Sequence, residues 1–294
     1  MQLAQLGFGR RTDSERSRVT GSPPPKFAAG LAYETCGSGE PLLLVHGVAS
    51  SRGAFNPVIG ALADHYQVIA VDLPGHGDSP VSARPGPLTP GMQALAVANL
   101  LDELGITRAH VVGNSMGGWV TLELAADQRA SSVTGLCPAG LWQPHTTRSR
   151  VLDFNYRVSV LAGPVTPIAM RVAPLREYLF RGAVQRRYRV DYATARTAVD
   201  GQRAAAGFDA AHLGLLDAWF TRAAEIPTDV PVTIIFGDND QMLPADTSQI
   251  RDLAPTHADW LVQSRMGHAP MWDDPEGTVA AIRRTTARAV PSGS

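Results

Sequence analysis

The stretch VVGNSMGG, residues 111–118, decides how the rest of the chain is read. It places Gly113, Ser115 and Gly117 in the spacing GxSxG, directly after an apolar run and directly before a helical pattern. A strand must turn sharply into a helix there. The flanking glycines let neighbouring backbone approach, while the serine sits strained at the tip with its hydroxyl lifted above the sheet. The helix that starts at Met116 aims free N–H groups and the positive end of its dipole at the same spot, which favours negative charge on a substrate oxygen. GxSxG also arises by chance in glycine-rich turns, so its weight depends on partners elsewhere in the chain.

Upstream, the apolar run PLLLVHG (41–47) ends at His46 and Gly47, so that the N–H of Val48 can point where the N–H of Met116 points; two such donors form an oxyanion hole. His46 itself reads as structural. The next strand pattern ends in DLPGHGDS (72–79), a tight loop in which Asp72, His76 and Asp78 read as loop-stabilising. Downstream, GDNDQMLP follows the run VTIIF and offers Asp238 and Asp240, and GHAPMWDDPE follows the run ADWLVQ and offers His268. Catalytic groups of open parallel sheets gather beyond the carboxyl ends of the strands. His268 falls on that edge, whereas His65, His110 and His257 come before strands and belong to the opposite one. His268 is therefore the candidate base, and either Asp238 or Asp240 can reach it as the orienting acid.

Farther out, short apolar runs alternate with amphipathic stretches such as MQALAVANLLDELG (92–105) and GWVTLELAADQ (118–128). The alternation predicts an α/β fold with a mostly parallel central sheet and helices on both faces. The rhythm breaks once. Residues 142–226 read as helices without a central strand, and are expected to form a helical cap inserted between core segments 27–141 and 227–294. Residues 1–26, rich in Arg, Ser, Gly and Pro, are expected to be a flexible tail.

The 294 residues carry a formal net charge of −1, with 44% hydrophobic and 18% charged residues, so no bulk field favours nucleic acid or an anionic membrane. Lys26 is the only lysine, which makes arginine clusters weak signals, because arginine fills positions where solvated lysine is usual. Cys36 and Cys137 fit neither a disulfide framework nor a metal cluster. The first residues hold no apolar core of a secretory signal, which sets the expectation of a cytoplasmic protein.

Taken together, HGxxxS (46–51), DLPGHGDS (72–79), GNSMGG (113–118), GDNDxxxP (237–244) and GHAPMWDDPE (267–276) make the chain resemble the α/β-hydrolase fold superfamily from about residue 27 to 289. The resemblance covers the sheet well and the cap poorly. In that family the acid usually occupies the fourth position of GxxD, which points to Asp240. It implies that His268 takes the proton of Ser115 as the serine attacks an acyl carbon, that Asp240 orients the imidazole, and that the N–H groups of Val48 and Met116 hold the oxyanion. The expected partner is a small-molecule acyl substrate, with no metal, organic cofactor, nucleic acid or membrane involved.

The elbow is similar to those of esterases and of meta-cleavage-product hydrolases. Serine at this position argues against the haloalkane dehalogenases and epoxide hydrolases of this fold, which use a carboxylate. Alternatives on the same scaffold are carbon–carbon bond hydrolysis, acyl transfer, natural-product cyclisation, or a non-catalytic ligand receptor. Trp219, Met271 and Trp272 are candidate substrate-binding residues; Phe154, Tyr156, Met170, Tyr178 and Phe180 could line an apolar pocket with Trp219, and cap arginines such as Arg148, Arg171 and Arg181 could bind a substrate carboxylate, although each reads as readily as packing or solvated surface.

Overall fold

Each apolar run of the sequence becomes a strand because its residues can bury side chains on two sides at once. In Glu40–Val45 (β3), Leu43 and Val45 enter one core cluster while Leu42 and Leu44 enter another. Val232–Gly237 (β7) repeats the pattern, with Ile234 and Phe236 on the first side and Ile235 on the second. This period of two is what a sheet covered on both faces requires. The computed structural model describes residues 24–81, 86–142, 156–157, 160–161 and 166–289.

The other strands are β1 (Lys26–Ala28), β2 (Leu31–Cys36), β4 (Tyr66–Val71), β5 (Ala109–Asn114), β6 (Ala130–Leu136) and β8 (Asp259–Gln263). They form one eight-stranded sheet in the order β1-β2-β4-β3-β5-β6-β7-β8. β1 and β2 are antiparallel additions at one edge, and every pairing from β4 to β8 is parallel. Helices Pro90–Glu103 and Met116–Ala126 cover the first side, and Asn56–Ala63 and Pro275–Thr286 cover the second.

One detail departs from the sequence reading, which took the run ADWLVQ for a strand buried on both faces. β8 is not buried on both faces: it pairs only with β7, and Val262 is 57% exposed. At the boundary of the expected tail, Lys26 opens β1 and pairs with Tyr33, and residues 1–23 lie outside the described residues.

Strand order locates the crevice. After β3 the chain moves to one side of it, to β4, and β5 then lies on the other side of β3 and hands on to β6. Such a switch point leaves the carboxyl ends of β3 and β5 flanking an opening. The described residues between β6 and β7 add helices and no strand, and they pack on the loops at this edge. Gly201 approaches Ser51, the Gly207 amide donates to Gly75 O (2.8 Å), the Phe220 amide donates to Gly140 O (2.9 Å), and Ala183 O accepts from the amides of His268 (2.8 Å) and Ala269 (3.1 Å).

Candidate active site

Ser115 sits between β5 and the helix Met116–Ala126 with φ 56° and ψ −120°, a left-handed conformation that costs a non-glycine residue energy. Three glycines make the turn feasible. A Cβ on Gly117 would lie 2.1 Å from Val45 O, one on Gly113 would lie 2.2 Å from Gly117 O, and one on Gly47 would lie 3.0 Å from the Ser115 Cβ. The elbow is pinned to its neighbour as well, since the Ser115 amide donates to Leu136 O (3.0 Å) and its carbonyl accepts from Ala139 N (2.9 Å). Backbone is thereby packed against backbone around a half-buried hydroxyl.

His268 and Asp240 meet at the same edge. His268 Nδ1 lies 2.8 Å from Asp240 Oδ2, and Asp240 Oδ1 accepts from the amides of Met242 and Leu243, both at 2.9 Å. Burial alone would raise the Asp240 carboxyl, but the facing His268 and those two amides hold it below the ordinary carboxylate range. The carboxylate thus stays charged and fixes which ring nitrogen carries the proton. The other nitrogen, His268 Nε2, is buried and makes no hydrogen bond. Asp238 is exposed, and its Oδ1 accepts only a long bond from Met266 N (3.3 Å).

The link from His268 back to the serine runs through Asn114. Its side-chain amide donates to Leu136 O (3.0 Å) and to His268 O (2.9 Å), tying the residue before Ser115 to the histidine 154 positions away. Asp273 ties the same loop outward, accepting from Gly267 N (2.7 Å), Gln185 N (2.9 Å) and Arg186 N (2.5 Å). Neither role was assigned from sequence. Both residues lie inside quoted motifs, which was the available signal, but their partners are distant in the chain.

Cys137, also unassigned, directly follows β6 with φ 46° and lies fully buried behind the pair. Its Sγ and ligand-type atoms of Asp240 and His268 all fall within 4.8 Å of one another. That trio has metal-ligating residue types, yet both Asp240 oxygens already accept hydrogen bonds, and burial followed by the nearby Asp240 charge pushes the Cys137 thiol well above its usual range.

The other sequence candidates take structural places. His46 accepts the Leu73 amide at Nε2 (3.0 Å) while Nδ1 contacts Gly47 O (2.7 Å), and burial lowers its pKa to about 4. His76 accepts the Ala49 amide (3.3 Å) and is lowered by burial, then by neighbouring His46, to about 3. Asp72 binds Arg52 and accepts the Asp78 amide (2.8 Å). His257 contacts Val230 O (3.1 Å), and His110, the second residue of β5, bonds Ser132 (2.8 Å), both at the amino edge.

Trp219, Met271 and Trp272 do not share one cluster. Trp219 packs against the core cluster of the first side, Met271 is buried on the second, and the Trp272 indole donates to Ala54 O (2.8 Å). Phe154 and Arg148 lie outside the described residues. A surface cavity of about 380 Å³ is lined by His65, Tyr66, Arg283, Arg284 and Ala287, at the amino end of β4 and away from Ser115.

Residues 42–281 match the family model described as alpha/beta hydrolase family, a span that includes every strand from β4 to β8 and all the residues just described from His46 to Asp273. The chain belongs to the alpha/beta hydrolase family. This α/β-hydrolase is 30% identical over 276 residues to a pimeloyl-[acyl-carrier protein] methyl ester esterase of Xanthomonas campestris pv. campestris, a match covering 87% of the chain and 99% of that protein. It is 44% identical over 106 residues to the dihydrolipoyllysine-residue acetyltransferase component of the acetoin cleaving system of Cupriavidus necator, but that match spans only 35% of the chain and 28% of the relative. Among solved structures, a thermophilic esterase from Thermogutta terrifontis superposes with a TM-score of 0.63 at 26% identity, covering 86% of this chain and 92% of that one.

Proposed function

We propose that this α/β-hydrolase is a serine hydrolase that cleaves carboxylic esters or related acyl compounds of small molecules. The observation that carries the reading is the His268–Asp240 pair, held at 2.8 Å, with the outer imidazole nitrogen buried and unbonded on the edge that bears the strained Ser115. Homology supports the ester class, since the Xanthomonas relative matched over almost its whole length is named as a methyl ester esterase.

In the proposed reaction His268 Nε2 takes the Ser115 hydroxyl proton as Oγ bonds to the acyl carbon. Asp240 stabilises the imidazolium so formed, and the N–H groups of Val48 and Met116 hold the oxygen that gains charge. The imidazolium returns its proton to the departing alcohol. A water then gives up a proton to His268, attacks the acyl-serine, and frees the acid. The segment 142–226 serves as a cap that selects the acyl group, a role supported among its described residues by the contacts of Ala183, Gly201 and Gly207 with loops of this edge.

Turnover of p-nitrophenyl acetate and butyrate, together with labelling by a fluorophosphonate, tests the assignment. Wild type is expected to turn over at least one ester and to be labelled at Ser115. Ser115→Ala should lose labelling, and both Ser115→Ala and His268→Ala should lose turnover by several orders of magnitude. An unlabelled wild type, or undiminished turnover in Ser115→Ala, refutes the reading.

A further inference from the structure

The helix Ala173–Leu179 buries none of its residues. A surface helix is normally held by an apolar stripe turned toward the core; here the apolar side chains point the other way. Ile168, Val172, Leu175, Tyr178 and Leu179 are between 40% and 62% exposed. Val172, Leu175 and Leu179 stand three and four positions apart, the spacing that aligns side chains along one helical face, and Tyr178 flanks them. The inward attachment is polar instead, since the Arg176 guanidinium donates to Val190 O and Met170 O, both at 2.7 Å.

Charge is segregated around this face. Residues 166–189 contain six arginines and one acid, Glu177, whereas the whole chain has 26 basic and 27 acidic residues. Arg186 and Arg189 turn toward Asp274 and Glu276. Arg171 and Arg181 are exposed beside the apolar stripe, and the Arg181 guanidinium lies 3.8 Å from the centre of the Tyr178 ring. An arginine-rich composition explains why these cations are arginines, but not why acids are so scarce here.

We propose that this face, centred on Val172, Leu175 and Leu179 and flanked by Arg171 and Arg181, docks on an anionic lipid bilayer. Apolar side chains ringed by cations match a surface that offers acyl chains just beneath a layer of phosphates. An acidic protein would satisfy the guanidinium groups while leaving five large apolar side chains to find a separate complement. The net charge of −1 pointed away from a membrane only because it averages this patch with acids elsewhere. The surface is independent of the catalytic reading, because its test measures binding and not turnover.

Co-sedimentation of the full chain with phosphatidylcholine vesicles, with and without about one-third phosphatidylglycerol, tests the proposal. Wild type is expected to sediment with the anionic vesicles at low salt and to be released at high salt. Leu175→Glu/Leu179→Glu and Arg171→Gln/Arg181→Gln should each weaken partitioning roughly tenfold. Both pairs are solvent-exposed, and unchanged circular dichroism confirms that they fold. Failure of wild type to bind, or equal binding by both double variants, overturns the proposal. So does a wild-type dimer in analytical ultracentrifugation that Leu175→Glu/Leu179→Glu converts to monomer, or salt-sensitive binding to an acidic acyl carrier protein without any to vesicles.

Discussion

Asp240 uses both carboxylate oxygens, one on His268 and one on two backbone amides, whereas Asp238 two positions earlier is exposed and accepts one long bond. An asparagine at 240 keeps the shape but loses the charge that stabilises an imidazolium, and it disturbs the choice of tautomer. Asp240→Asn is therefore expected to lower kcat/KM by about 10³- to 10⁴-fold, and Asp238→Asn to change it little. Steady-state kinetics on the two variants decides the matter, and the reverse ranking would reassign the acid. From sequence both aspartates stood on the right edge, and only the family pattern favoured one. What separates them physically is the turn at 240–243, whose amides gather on one carboxylate oxygen and leave the other for the histidine.

At the scale of elements, the turn from β5 into the helix Met116–Ala126 depends on space that glycine leaves. The clash predicted for Gly117 is with backbone, the carbonyls of Val45 and His46, which cannot rotate aside as a flexible side chain would. Gly117→Ala should push the helix away from β3 and destabilise the fold by about 2 kcal/mol or more. Thermal unfolding would show this, and fluorophosphonate labelling should fall with it; an unchanged Tm and labelling rate would refute the packing argument. This element was legible early because its glycines, serine and flanking apolar runs are local in sequence. Asn114, Cys137 and Asp273 were not, because their partners come from other strands and loops and leave no spacing to read.

Across the whole molecule, two neutral imidazoles hold together the loops that follow β3 and β4. His46 and His76 lie with ring centres 5.3 Å apart, and burial lowers their pKa values to about 4 and about 3. An unfolded chain binds protons at these positions near pH 6.5, while the folded one does not. Their stabilisation is therefore complete above pH 6.5 and is lost as pH falls toward 4 and then 3. Buried Asp72 beside them acts in the opposite sense, because burial raises its carboxyl. The expected net result is a loss on the order of a few kcal/mol between pH 7 and 4. Denaturant unfolding measured across that range checks it, and a flat profile would contradict the assignment of both rings as buried and neutral.

Sequence alone determined the alternation of strands and helices, the parallel core, and which edge each candidate group occupies, because periodicity and chain order are local properties that survive without coordinates. Tertiary structure decided what depends on meeting across distance: Asp240 rather than Asp238 at the imidazole, Asn114 bridging to His268, Asp273 fastening Gln185 and Arg186 to Gly267 beside that loop, and the apolar face at 168–179 turned outward. A hydrogen bond of 2.8 Å is set by where two loops come to rest, and no residue type or interval encodes that by itself.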